Sequence, residues 1–303
     1  MKKNLRAFSL IEISIVIVII SLIMGMIIRS NSSSYEAKIR TSASLTSNSA
    51  VNNIDGLLLW LEPTMTESFL DAEEKDGSAV SSWFDINPTT NAKSNATQST
   101  AGSKPLYQLN GIGGLPSLKF DGVDDKVVVN SSFLRSTTDS FQIFLVAKAT
   151  AAHQIDSEVA GGADGVSGQK FILGPTPGTT GCVSGGEAGG GISMGTNGIS
   201  FYEHTGCYLP PLAIYSGTVS DPAIISIKYE NKIPSIYLNG GLVRTGLQSP
   251  KDRVFVGAEI GGYPYGSFQG LVSEVIVYAS SLSDDDRKEV EKYLSQKYSL
   301  KLN

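Results

Sequence analysis

Sulfur and imidazole are scarce in this chain. Its 303 residues include two cysteines, Cys182 and Cys207, and two histidines, His153 and His204. No Cys-x-x-Cys pair and no histidine cluster occurs, so a structural zinc site has no support. The histidines stand far apart with no nucleophile pattern beside them, which leaves a hydrolytic triad unsupported. The glycine-rich stretches lack the Gly-Lys-Ser/Thr ending of a phosphate loop. Excess positive charge is missing too: 24 Lys and Arg stand against 29 Asp and Glu, a formal charge of -5. Nucleic-acid binding needs a basic surface, so that class is set aside. No internal repeat stands out.

Glycine is abundant, at 32 residues, which points to many turns and an all-β body. Alternating or β-branched and aromatic segments predict strands at 57–61, 117–120, 126–129, 141–149, 223–229, 235–238, 253–256 and 271–278. Asn239-Gly240 predicts a tight hairpin, because both residues tolerate positive φ. The Gly-rich stretch 161–198 reads as long loops with short strands. Near the end, Ser283 caps a predicted helix with three acids in its first turn. Val290, Tyr293, Leu294 and Tyr298 share the face of that helix that packs on the body.

The N-terminal region has a different character. Lys2, Lys3 and Arg6 precede an apolar run, Phe8 to Ile28, broken by Ser9, Glu12, Ser14, Ser21 and Gly25. Twenty-one helical residues would extend roughly 31 Å, the thickness of a bilayer core. The basic residues come first, which predicts a cytoplasmic N-terminus and a translocated body. A carboxylate in such a segment is expensive, so Glu12 is expected to have a task. A weaker amphipathic helix is expected to continue through Tyr35, Ile39, Ala43 and Ala50 to Ile54, loosened at Ser30–Ser34.

The run Ala7-Phe8-Ser9-Leu10-Ile11-Glu12 after a basic leader resembles the type IV prepilins and pseudopilins. The resemblance covers about residues 1–54. It implies cleavage between Ala7 and Phe8, methylation of Phe8, and a Glu12 that pairs with the Phe amine of a neighbouring subunit during assembly. One residue departs from the family pattern: Ala7 stands where Gly is usual. An extracytoplasmic body would make Cys182 and Cys207 a disulfide pair.

The body resembles the concanavalin A-like, laminin-G-like jelly-rolls over 56–300. The stretches concerned are 56–61, Trp83-Phe84-Asp85, 116–125, 141–148, 236–240 and 270–278. That fold hosts lectins, glycan hydrolases and adhesion modules, so it leaves function open. The nearest approach to an acidic catalytic strand is Gln154-Ile155-Asp156-Ser157-Glu158, where an amide occupies the nucleophile's place. Asp121, Asp124 and Asp125 are calcium candidates, although a hydrogen-bonded turn is the favoured reading of these residues. Tyr263, Tyr265 and Phe268 are the candidate glycan contacts, with packing as the other reading. Trp60 and Trp83 are expected in the core.

The expectation is a mainly β protein that is not an enzyme. Residues 1–7 form a cleaved basic leader, 8–54 a transmembrane and stalk helix, and 55–303 a jelly-roll β-sandwich with a C-terminal helix. Function follows as a minor pilin or pseudopilin of a type IV pilus or type II secretion filament, its head displayed for adhesion. The alternative is a membrane-anchored carbohydrate-binding module, with a glycan hydrolase behind it. Expected partners are other pilin subunits, prepilin peptidase, the membrane, and a glycan or host surface. No cofactor is expected beyond the calcium candidates. The expected location is the bacterial inner membrane, single-pass with a periplasmic head, or an extracellular filament after assembly.

Overall fold

The computed structural model describes residues 10–178 and 184–303. The chain divides into two compact units, Met1–Ser44 and Leu45–Asn303. Helix α1 (Leu10–Ser47) runs through Ser30–Ser34 without a break. Hydroxyls within it bond back to carbonyls one turn earlier, as Ser21 does to Ile17 (2.8 Å) and Thr41 to Ala37 (2.9 Å). Such back-bonding lets Ser and Thr sit in a helix without leaving an unsatisfied donor.

Among the described residues, no helix is long and apolar enough to cross a membrane. This corrects the expected transmembrane helix within 8–54, and the single-pass inner-membrane location with it. The described side chains of α1 include a short apolar stretch, Val16–Ile20, bounded by Ser14 and Ser21, and a polar second half from Ser33. The residues that carry the prepilin resemblance, Ala7, Phe8 and the Glu12 side chain, lie outside the described residues.

Among the described residues the body has seventeen strands: β1 (Leu57–Leu61), β2 (Ser82–Trp83), β3 (Ala96–Thr97), β4 (Leu106–Gln108), β5 (Ser117–Asp121), β6 (Val127–Val128), β7 (Phe141–Ala149), β8 (Phe171–Gly174), β9 (Glu187–Gly195), β10 (Gly198–His204), β11 (Pro211–Ser216), β12 (Ala223–Glu230), β13 (Ile233–Leu238), β14 (Gly241–Thr245), β15 (Arg253–Val256), β16 (Glu259–Ile260) and β17 (Gln269–Tyr278). A short helix α2 (Ser131–Leu134) precedes β7, and α3 (Asp284–Tyr298) follows β17. They form two sheets. One runs β14-β13-β12-β7-β17-β5-β4, with β1 also paired to β17; the other runs β11-β10-β9-β8-β16-β6-β3-β2, with β15 on β9. Nearly all pairings are antiparallel; β15 on β9 is parallel.

The core lies between the sheets. Leu118 and Phe120 of β5, Phe141, Ile143 and Leu145 of β7, Phe201 of β10 and Tyr229 of β12 all point into it. Phe141 and Tyr229 stack with centroids 4.5 Å apart, and Trp60 and Trp83 are buried as expected. The predicted strands are present. Asn239 and Gly240 have φ of 50° and 83° and close the β13–β14 hairpin.

The stretch 161–198 departs from expectation, because it holds β8, β9 and the start of β10 rather than mainly loops. Glycines mark close backbone approach there. A Cβ on Gly189 would stand 2.0 Å from the Thr176 carbonyl oxygen, and one on Gly191 2.6 Å from that of Leu173. Side chains are excluded, so no alternating pattern could appear in the sequence.

A bulge in β17, between Val272 and Glu274, resets the side-chain phase. Val272, Val275 and Val277 therefore all face the core, and Glu274 turns outward beneath α3. That helix starts as read from the sequence: the Asp286 amide donates to Ser283 Oγ (3.1 Å). Val290, Tyr293, Leu294 and Tyr298 are buried against the outer face of the first sheet.

One buried ion cluster fastens this layer. Lys297 Nζ lies 2.6 Å from Glu62 and 2.8 Å from Glu274, all three side chains at most 1% exposed. It also donates to Thr46 Oγ1 (2.9 Å). Glu62 further accepts from the Thr64 and Met65 amides and from the Thr64 and Ser68 hydroxyls. Glu274 accepts from Trp60 Nε1, Tyr293 and Tyr298. Burial opposes charge on Glu62, but Lys297 and these donors outweigh it, so its pKa lies below the ordinary carboxylate range.

Candidate functional site

Helix α3 covers only part of the outer face of the first sheet. It reaches β12, where Ser226 Oγ donates to Glu291 (2.7 Å), and the middle of β17 at Glu274. The strip formed by β4, β5, the start of β17 and the end of β7 stays open. Strand periodicity settles what it presents. Leu118, Phe120, Val272, Ala147 and Ala149 are core residues, so Lys119, Leu271 and Lys148 point to the open side.

Register aligns these residues across four strands. Leu106 pairs with Lys119, Lys119 with Leu271, and Leu271 with Lys148. The adjacent row holds Asp121 paired with Gln269, and Thr150 beyond, whose amide donates to the Gln269 carbonyl (2.9 Å). Two adjoining hollows of about 310 and 430 Å³ follow this strip and share Gln108 and Lys119. Asp76, Asn110 and Leu106 line the first; Asp121, Lys148, Thr150, Gln269 and Leu271 line the second. The surface offers donors, acceptors and an aliphatic floor of Leu106, Leu271 and lysine stems.

The calcium candidates border this strip. Carboxylate oxygens of Asp121, Asp124 and Asp125 lie within 4.8 Å of one another. They also build the turn: Asp121 Oδ1 accepts from the Val123 amide (2.8 Å), and Asp125 Oδ2 from the Asp121 amide (2.9 Å). Ser103 donates to Asp124 (2.8 Å). Burial, with the like charges of Asp121 and Asp124, pushes Asp125 up to about 6. Hard oxygen ligands converge there, as a divalent cation requires, and every bond of a self-sufficient turn is present as well.

The aromatic candidates are not gathered into a surface. Phe268 is fully buried and packs edge-on to Phe120. Tyr263 is 6% exposed, in a second cluster with Phe171, Tyr202 and Leu209. Its hydroxyl bonds His204 Nδ1. Only Tyr265 is half exposed, resting on that cluster. Glycan contact through Tyr263 and Phe268 is therefore corrected to packing: both rings are consumed by the fold.

The acidic segment 154–158 lies in a loop. Asp156 accepts from Tyr202 (2.8 Å) and Gln169 (2.9 Å), and Glu158 pairs with Arg244. Each carboxylate is committed to a separate structural bond. Cys207 is disulfide-bonded; Cys182, the other cysteine, lies outside the described residues.

Sequence reading missed two buried acid sites. Glu274 looked like one residue of a strand, and the β17 bulge that turns it toward Lys297 leaves no mark in composition. Glu203 is fully buried, accepting from Tyr229 (2.5 Å), Ser249 (2.6 Å) and Tyr208 (3.4 Å). Burial pushes it up to about 7 against those donors. The lysine–leucine row was legible only once register was known.

No family model matches the chain, and no curated protein matches it. Solved structures do. The binding domain of botulinum neurotoxin serotype D/C is similar at a TM-score of 0.52 and 15% identity, over 80% of this chain and 53% of that one. The likeness is one of fold. A β-sandwich is shared, and at this identity nothing finer is carried. The binding domain of Paraclostridial Mosquitocidal Protein 1 scores 0.49 at 12% identity, over 80% of this chain and 52% of that one. The sialidase of Trypanosoma rangeli in complex with sialic acid scores 0.46 at 16% identity, over 80% and 33%. The chain thus spans about half the length of the toxin binding domains and a third of the sialidase.

Proposed function

We propose that residues 45–303 form a glycan-binding head, and that the open strip on β4, β5, β17 and β7 is its recognition surface. The observation that supports this reading is the combination in one groove of an aliphatic floor with unshielded polar side chains. Leu106 and Leu271 suit the C–H face of a sugar ring; Gln108, Asn110, Gln269 and Asp121 suit its hydroxyls. The groove's two acids, Asp76 and Asp121, each accept from a backbone amide, and the proposal is recognition without turnover.

The test is a glycan array probed with the full chain, with and without calcium. Retention of at least one glycan, lost on combining Gln269→Ala with Leu271→Ala, is the expected result. Binding that survives both changes would move the site elsewhere, and a blank array would remove the proposal.

A second reading concerns α1. Val16–Ile20 and Met24 are each about half or more exposed, an apolar run that invites cover. The resemblance to type IV prepilins names the cover as helices of like subunits in a filament. On this proposal the chain is cut before Phe8 by a prepilin peptidase, and Glu12 acts in assembly. Mass spectrometry of the mature N-terminus should find methylated Phe8, whereas an intact Met1 would refute it.

A further inference from the structure

We infer that the groove selects glycans carrying an anionic sugar, held between Lys119 and Lys148. The inference rests on the glycan-binding reading above and names its ligand class. The two lysines flank Leu271 across β17, one on β5 and one on β7, in a single cross-strand row. With neighbouring strands about 4.8 Å apart, their Cα atoms stand roughly 10 Å from each other. Both side chains rise from the same face, and neither has an ion-pair partner among the described residues. Some lysines elsewhere on the body pair with acids, as Lys126 does with Glu259 and Lys228 with Glu230 and Asp284, so it is the shared row rather than the lack of a partner that sets Lys119 and Lys148 apart.

Two like charges at this distance repel by about 0.4 kcal/mol in water. A carboxylate or sulfate seated over Leu271 converts that repulsion into two attractions. The spacing suits one compact anion bridged by two flexible ammonium groups, each able to close several ångströms by rotamer change.

The acids of the groove do not cancel this arrangement at its centre. Asp76 lies at the far end of the first hollow and accepts from the Leu109 amide (2.9 Å). Asp121 sits one outward position along β5 from Lys119, on the side toward its own turn, with Oδ1 held by that turn's amides. No acid lines the hollow beside Lys148 and Thr150 apart from Asp121. The geometry therefore orients a ligand: its anionic group over Leu271, and its hydroxyls toward Gln269, Thr150 and the free oxygen of Asp121. Thr150 Oγ1 donates to the Gln269 carbonyl (3.1 Å), so it meets a sugar hydroxyl as an acceptor.

The experiment measures binding of the full chain to four probes: lactose, sialyllactose, a glucuronate-terminated disaccharide and sulfated lactose. Preference for the charged probes is expected, and it should weaken as salt rises from 50 to 500 mM. The double variant Lys119→Gln, Lys148→Gln should lose about tenfold in affinity for them while leaving any lactose binding unchanged. Sialyllactose and the glucuronate bound above the sulfated probe would assign a carboxylate; the reverse order would assign a sulfate. Equal binding of lactose and the acidic probes, unaltered in the double variant, would overturn the inference and leave glycan recognition standing. No binding of any probe would overturn the inference, and the glycan array then decides the glycan-binding reading by itself. Circular dichroism of the variant excludes misfolding as the source of a loss; these two side chains contact solvent, so none is expected.

Discussion

Glu203 makes the stability of the body fall with rising pH. The carboxyl is enclosed on β10, and burial holds its pKa at about 7, against an ordinary 4.5. A carboxyl whose pKa is raised by folding favours the folded state when protonated. Its contribution is therefore complete below pH 4.5 and is lost as pH climbs through 7. With those two values, one proton linked to folding gives about 2.6 kcal/mol at pH 5 and under about 0.1 kcal/mol at pH 8. The loss between them is about 2.5 kcal/mol, a large share of the stability of an ordinary domain. Glu203→Gln keeps an acceptor for Tyr229 and Ser249 and removes the titration. The assay is urea denaturation of both forms at pH 5, 6, 7 and 8, read as the difference between them. The difference cancels other groups that titrate in this range, such as Asp125 in the folded protein and His153 in the unfolded chain. A wild-type loss exceeding that of the variant by 2–3 kcal/mol is expected. Parallel curves would mean that Glu203 stays ionised throughout, and the account of its burial would fail.

Three further outcomes follow from particular contacts. Lys297→Met strands Glu62 and Glu274 without their cation and should cost about 3–5 kcal/mol in urea denaturation at pH 7; a loss below about 1 kcal/mol would show that the cluster is not a net support. Asp125→Asn retains the acceptor for the Asp121 amide and removes a charge whose pKa is raised to about 6. After allowance for solvent screening it should gain about 1 kcal/mol at pH 7 and nothing near pH 4, and an equal effect at both pH values would contradict the assignment. Gly113 has φ of 62°, and a Cβ there would stand 2.4 Å from the Tyr298 carbonyl oxygen; Gly113→Ala should lower thermal stability by about 2–3 kcal/mol, and an unchanged melting temperature would show that α3 can shift at no cost.

The sandwich was legible because most strands carry period-two patterns and the hairpin carries Asn239-Gly240. The cap of α3 was legible because Ser283 and its three acids act locally. Strand β9 was not, since Gly189 and Gly191 make room for another backbone and Gly190 for the Phe201 ring, which are tertiary facts. Tyr263 and Phe268 misled for a related reason: an aromatic beside Gly and Pro looks like a loop tip, yet its ring turns inward. The groove escaped altogether. Lys119, Leu271 and Lys148 lie more than 100 residues apart at their extremes, and only strand order brings them into one row. The membrane reading of 8–28 came from composition, and no described helix meets its requirement.

The Lys297 cluster also sets a clock for folding during synthesis. Glu62 leaves the ribosome 235 residues before its cation. At about 5–20 residues per second, that carboxylate waits roughly 10–50 s for its partner. Until α3 is made, the layer over β17 has no counter-charge, and closing it would bury Glu62 and Glu274 as bare anions. The helix that covers these acids also carries their counter-charge, so burial and neutralisation arrive in one step.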